Sequence, residues 1–369
     1  MKRSRSGVLT VGGALIDTIA VIGSESIERM SMKNADRAFL LLEQGSKTEA
    51  EIVSTHPGGG ALNAAVTFAR LGFETATLIK VSHDDRGKAV RERLSEEGIS
   101  PDYVSTTSMA PTGASVLISA HDRDAAIFTF RGANTLLDID DLAPAAFERD
   151  IVYISGLSDG SADCFPEIAR LAKQERAFLA TNPGIRQLTS RGDAFEKTLP
   201  HIDLLSMNVV EAQALVPRLA ARIGKHIASG KKQSGPHAHG LLDRGLVSDT
   251  SILSLSQFLR TLLDVGTRCV LVTDGKQGSY AGMGGELTFC PSLQLEVVGT
   301  AGAGDAFSST FTAFFASGST VGEALQAATV NAGSVVKFAD TQTGLLTSSA
   351  LKQAIAKNKG RLELQVTKL

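Results

Sequence analysis

Val298–Gly318, VGTAGAGDAFSSTFTAFFASG, is the stretch from which the rest of this chain is read. A short apolar run, Leu293–Val298, stops at Gly299. Gly302 and Gly304 then allow a tight turn with no Cβ in the way. Asp305 opens a segment in which Ala306, Phe307, Thr310, Phe311, Ala313 and Phe314 recur at helical spacing. A helix beginning there leaves free N–H groups, and its dipole adds positive potential. Backbone at Gly302, Ala303 and Gly304 is thus suited to an anion such as a phosphate, or to charge developing on a phosphoryl group in transfer. Asp305 stands where an attacking hydroxyl would give up its proton. The alternative for the same residues is an ordinary loop and a first-turn acid.

Working outward, strand-like and helix-like runs alternate on both sides. Val8–Val11 reads as a buried strand ending at Gly12–Gly13, with Asp17 just past it. Ala61–Leu71 has helical periodicity behind Pro57–Gly60. Thr75–Lys80 is a strand and Gly87–Glu97 a helix. From Ile139 onward, strands at 151–154, 177–180, 203–207 and 269–273 alternate with helices at 164–175, 209–223 and from Asp305, and another from Val321 to Phe338. This order predicts an α/β fold, a three-layer sandwich with a mostly parallel central sheet and helices on both faces. Two stray β-rich stretches, about 29–56 and 111–131, fit a small β layer beside it. Residues 228–249 read as an exposed insertion, and the whole chain, 1–369, as one domain.

Composition narrows the function. Lys and Arg number 37 against 39 acidic residues, a net charge of −2, which argues against nucleic-acid binding. Hydrophobic residues make up 43%, enough for a sizeable core. Cys164, Cys269 and Cys290 lack metal-ligand spacing and read as reduced thiols, which suits a cytoplasmic protein. The basic start, MKRSRS, precedes an apolar run that Asp17 interrupts, so a targeting or membrane segment is not expected. His237 and His239 have no third ligand nearby and read as solvated.

Four further groups carry candidate chemistry. Asp17 lies in an apolar stretch where an unpaired carboxylate is costly, so it reads as an acceptor for ligand hydroxyls or as a turn residue. Gly58, Gly59 and Gly60 expose backbone, and Asn63 offers an amide one turn later. Asn208 and Glu211 stand at i and i+3, either as oxygen donors around a hydrated magnesium ion or as a helix capping pair. Thr273 to Gly278, TDGKQG, forms a loop able to face phosphates, and Asn331 could border a base pocket or occupy a polar helix face. Neither a Walker motif nor a first-unit GxGxxG is present.

Together these residues resemble the PfkB family of carbohydrate kinases, within the ribokinase-like superfamily. The resemblance rests on Gly58–Ala65 with Ala69–Gly72, on Gly299–Phe307, and on supporting matches at Asp84–Gly87, at Asn208 with Glu211, and at Thr273–Gly278. It implies ATP-dependent transfer to a sugar hydroxyl, with a nucleoside as the alternative acceptor and a non-catalytic sugar-binding protein as a more distant one. It implies Asp305 as the base and Gly302, Ala303 and Gly304 as the anion hole. Asp17, Gly59, Gly60 and Asn63 would hold the acceptor. Asn208 and Glu211 would organise hydrated Mg2+. Asn208, Thr273, Gly275, Gly278, Gly304 and Asn331 would line the ATP site. The β stretches would form a lid that, in many relatives, also makes a homodimer contact. Three departures stand out. Gly299 replaces an Asp that helps bind a monovalent cation, which puts potassium activation in doubt. Thr181 replaces an Asp before the Asn182–Pro183 pair, and the 228–249 stretch is longer than in compact relatives.

Overall fold

The apolar runs become the middle of a ten-stranded sheet. The structure is a computed structural model, and it describes residues 7–23, 28–31, 38–41, 45, 47–120, 126–223, 240–248 and 252–369. Strands Cys269–Thr273, Leu204–Asn208, Phe178–Asn182, Ile151–Ser155, Gly7–Val11, Glu74–Ser82 and Val104–Thr107 pair in parallel, in that order. The central strands are mostly apolar because helices cover both faces, with small hydroxyls such as Thr10, Thr77, Thr181 and Ser206 buried among them. On one face Phe165, Phe195, Leu215 and Phe258 pack together. On the other, Phe68, Phe311 and Leu325 do so, with a further cluster around Leu62, Ile79 and Leu94. The three-layer α/β expectation therefore holds.

Three antiparallel strands, Ser279–Met283, Glu286–Cys290 and Gln365–Lys368, extend one edge of this sheet. A separate four-stranded sheet has the order Ala50–Gly58, Leu15–Ile22, Gly113–Ala120, Ala126–Phe130. Its second strand corrects the sequence reading. Asp17 is inside Leu15–Ile22, not in a turn past the first strand, and this β layer reaches outside 29–56 and 111–131. The two strands Gly7–Val11 and Leu15–Ile22 follow each other closely, separated by Gly12–Ala14, and both are largely apolar apart from Thr10, Asp17 and Thr18. Gly12 adopts φ +146, and a Cβ there would meet Ser155 Oγ at 2.1 Å, so the chain can leave one sheet for the other only through glycine.

The 228–249 stretch is also corrected in part. Residues 228–239, with His237 and His239, and residue 249 lie outside the described residues. Gly240–Arg244 is a helical turn and Leu246–Val247 a short strand, with Leu241 and Leu246 fully buried in the core. The helix from Val321 ends at Val335, before Phe338. Cys164, Cys269 and Cys290 are buried and unpaired. Among the described residues no helix is long and apolar enough to cross a membrane.

Candidate active site

The parallel strands all end on one rim, the position where open α/β sheets gather their ligands. Gly12 and Gly13 follow the first strand. Ser155 ends the next, and Asn182 lies in register beside it. Further along, Asn208 and Thr273 sit side by side at the ends of neighbouring strands. Helix Ala303–Ala316 packs beneath this rim with its N-terminus towards it.

Two helices start here with glycine at the N-cap. Gly59 precedes Gly60–Leu71, and Gly302 precedes Ala303–Ala316. Neither cap supplies a side-chain hydrogen bond to the first turn. In the first helix the Ala61 amide is taken by the Gly13 carbonyl at 3.1 Å. In the second, the first intrahelical bond runs from Ala306 N–H to Gly302 O, so the amides of Gly304 and Asp305 have no partner within the helix. A Cβ at Gly304 would meet nothing within 4 Å, so the approach to those amides is open. Gly302 has φ +76, and a Cβ there would lie 2.6 Å from Thr341 Cβ. Only glycine fits this cap.

A cavity of about 100 Å³ lies between these starts. Gly12, Gly13, Gly59, Gly60, Ser155, Asp305, Arg131 and Asn134 are among the residues that line it. Asn134 is held by a two-way bond to the Ala14 backbone, at 3.0 and 2.9 Å. Asp305 Oδ2 accepts from Asn63 Nδ2 at 2.8 Å. Its Oδ1 has no protein partner among the described residues and faces Gly60, 3.3 Å from where a Cβ would sit. Burial raises the Asp305 pKa, and the Asn63 bond opposes that rise.

Asn63 is itself fixed from behind. Its Oδ1 accepts from Thr341 Oγ1 at 2.9 Å and from Gln342 Nε2 at 3.0 Å. Gln342 Oε1 in turn accepts from Arg93 Nε at 2.8 Å. A guanidinium can only donate, so Arg93 fixes which end of the Gln342 amide points inward, and hence which end of Asn63 meets Asp305. Asn63 is only 3% exposed. In this structure it serves the carboxylate more than open space. Sequence reasoning missed Thr341 and Gln342. They are 278 and 279 residues from Asn63 and give no local signal.

Asp17 is 7% exposed and accepts a short hydrogen bond from Ser115 on the adjacent strand. Burial, with further repulsion from Asp305, pushes its pKa up to about 6 against the Ser115 bond. Glu211 is pushed up to about 7 by burial, and Asp305 again adds repulsion. Asp305 therefore lies within electrostatic reach of Asp17 on one side and Glu211 on the other.

Asn208 and Glu211 form a reciprocal helix cap: Asn208 N–H donates to Glu211 Oε2, and Glu211 N–H to Asn208 Oδ1, each at 2.9 Å. The capping alternative is realised, and one Glu211 oxygen, Oε1, stays free of that pair. Thr273 ends its strand half-buried. Gly275, at φ +53, is exposed, and Gly278, at φ +113, tucks against the Cys290 carbonyl. Asn331 is a correction. It is fully buried, its Nδ2 donating to Thr310 Oγ1 at 2.8 Å and its Oδ1 accepting from Leu346 N–H at 2.9 Å. These bonds tie helices Ala303–Ala316 and Val321–Val335 to the loop at Leu346, and its full burial leaves no edge presented to a base. Among the described residues no group of three or more His, Cys, Asp or Glu is arranged to hold a metal.

The pattern of the pfkB family carbohydrate kinases matches residues 17–348. The chain belongs to this family. Ribokinase of Bacillus subtilis is 25% identical over 310 residues, covering 82% of this chain and 88% of its own. Ribokinase of Arabidopsis thaliana, complexed with ribose and ATP, shares the fold with a TM-score of 0.70 at 21% identity, over 95% of this chain and 99% of that one. A candidate ribokinase II of E. coli, in complex with ATP and Mg2+, gives 0.72 at 17% identity with the same coverage. The two glycine-capped helix starts, at Gly59 and Gly302, both lie within the matched residues.

Proposed function

We propose that this PfkB protein transfers the γ-phosphoryl group of ATP to a hydroxyl of a small sugar, with Asp305 as the base. The observation behind this reading is the placing of Asp305. One of its oxygens is held by Asn63, and the other faces a cavity beside unpartnered helix amides.

The residues on the nucleotide side fit a magnesium nucleotide. Amides with open approach at Gly304, the free oxygen of Glu211 and the exposed Gly275 turn suit phosphate oxygens and a hydrated cation. Magnesium, when bound with the nucleotide, neutralises charge on the transferring group. The chain's own residues do the rest. Asp17, fixed by Ser115, accepts from sugar hydroxyls and orients the ring. Gly59 and Gly60 let the acceptor approach the backbone. The Gly304 and Asp305 amides, with the dipole behind them, stabilise developing negative charge. Asp305 receives the hydroxyl proton at Oδ1. The four-stranded sheet is read as the lid that keeps water out of the cavity, which suppresses ATP hydrolysis.

A sugar is favoured over a nucleoside by the register of that sheet. Asp17, Ser115 and Thr129 are directly opposed across three strands and share one face. Phe128 and Phe130, the aromatic candidates for a purine pocket, therefore point to the other face. Among the described residues no aromatic ring lines the cavity. That other face, with exposed Val53, Val116, Phe128 and Phe130, is the surface a second copy would cover.

ADP release over a panel of sugars and nucleosides tests the reading. Asp305→Ala is expected to lower kcat by about 10²–10⁴ while leaving nucleotide binding intact. Equal loss of both in a folded variant would remove Asp305 from the role of base.

A further inference from the structure

The helix Asp85–Glu96 and its N-cap Asp84 take no part in lining the cavity. Asp84 Oδ1 accepts from Gly87 N–H at 2.8 Å, which is all a helix cap requires. Two further bonds go to one residue. Oδ1 accepts from Thr112 Oγ1 at 2.6 Å, and Oδ2 accepts from Thr112 N–H at 2.8 Å. Thr112 is fully buried, and its hydroxyl also accepts from Ser82 N–H at 2.8 Å. A Cβ at Gly87 would lie 2.1 Å from Ser82 O and 3.0 Å from that hydroxyl, so only glycine lets the helix start seat there. Thr112 immediately precedes strand Gly113–Ala120, whose third residue, Ser115, donates to Asp17.

The other end of the same helix reaches towards Asp305. Arg93 donates to Gln342 and pairs with Glu97 at 2.5 Å. Glu97 also pairs with Arg70 at 2.6 Å, and Arg70 Nη1 donates to the carbonyls of Gln342 and Leu345 at 2.9 and 2.7 Å. The loop that orients Asn63 is thus gripped by side chain and by backbone. The helix has 12 residues, so its ends are about 18 Å apart.

Asp17 stands on the small sheet and Asp305 on a helix of the main layer. A hydroxyl held by the first must meet the second closely, since a misplacement of about 1 Å can cost about 100-fold in rate. We propose that Asp84 and Thr112 are positioning residues for the transfer, and that with Arg93 they make this helix a strut setting Asp17 relative to Asp305. The proposal rests on the kinase reading. Asp84 and Thr112 act on Asp17 through Ser115, and Arg93 acts on Asp305 through Gln342 and Asn63.

The test is ADP release by the full chain with ATP, Mg2+ and the best acceptor of the sugar and nucleoside panel, with thermal melts confirming that each variant folds. Asp84→Asn keeps a good N-cap but sets an NH2 against the Thr112 N–H. It should raise the acceptor KM about tenfold and leave the KM for ATP within about twofold. Thr112→Ser keeps the hydroxyl and should stay near wild type, whereas Thr112→Val, closer in shape, should behave as Asp84→Asn does. A packing role for Thr112 would reverse that order and overturn the proposal. Distant sites that share no partner are independent, so combining Asp84→Asn with Gln342→Met probes the strut itself. The double variant should lose less kcat/KM than the product of the single losses, by about threefold or more, because releasing one end makes the hold on the other matter less. An unchanged acceptor KM in folded Asp84→Asn, or losses that simply multiply, overturns the strut and leaves the kinase standing. No turnover by the wild type with any member of the panel overturns both.

Discussion

Gln342→Glu should move the pH dependence of this enzyme without touching its cavity. In the wild type Arg93 donates to Gln342, Gln342 to Asn63, and Asn63 to Asp305. Glutamate keeps the bond from Arg93 but has no proton to offer Asn63 Oδ1. Asn63 can then satisfy the new carboxylate only by turning its NH2 group away from Asp305, which leaves its oxygen against the Asp305 carboxylate. A hydrogen bond to a charged group contributes about 1.5–3 kcal/mol, and one pKa unit is about 1.4 kcal/mol. The Asp305 pKa is already raised by burial, and the Asn63 bond is what opposes that rise. Removing the bond raises it further, so the basic form appears only at higher pH. The acid limb of the kcat/KM profile should move up by about one to two pH units. Gln342→Met, which leaves Thr341 bonded to Asn63, should move it less. A purely structural role for Gln342 would lower Tm and leave the limb in place. An unmoved limb in a folded Gln342→Glu variant would refute the relay from Arg93 to Asp305.

Three other outcomes follow from the same geometry. A rise of the Asp17 pKa from 3.8 to about 6 corresponds to a destabilisation of about 3 kcal/mol at neutral pH. Because the native state binds the proton more tightly, that penalty is full above about 6 and fades as pH falls towards 3.8. Asp17→Asn should therefore raise Tm at pH 8 while weakening acceptor binding, and the gain should disappear near pH 4. A Tm gain that does not change with pH would point to some other cause. Glu211→Gln retains the helix cap, since glutamine serves in a capping box. It should raise the Mg2+ needed for half-maximal activity about tenfold, as loss of a group that hydrogen-bonds the ion's own ligands or waters does. An unchanged magnesium titration would leave Glu211 as a cap alone. Phe128→Asp should convert a dimer into a monomer in sedimentation velocity, and identical sedimentation of both forms would end the case for a lid-to-lid contact.

Much of this protein was legible from local pattern. Gly302, Gly304 and Asp305 announce a glycine-capped helix start because the backbone conformation and the helical period are both written within a few residues. The runs at 8–11, 151–154, 203–207 and 269–273 reveal parallel strands because both faces are covered and most positions must be apolar, with Thr10 and Ser206 as small buried exceptions. Asn331 shows where local pattern ends. Its place in a helix could be seen, but not the Thr310 hydroxyl and Leu346 amide that occupy it.

The sequence by itself determined where helices begin, where strands run, and which residue types could bind an anion or take a proton. Those properties depend on neighbours within one or two turns. Only the tertiary structure decided that Asp17 faces Ser115 and not Phe128, that Arg131 reaches the cavity of Asp305, and that Arg93 directs Asn63 through Gln342. Strand register and hydrogen-bond direction across hundreds of residues are set by packing, and packing leaves no mark on the residues it joins.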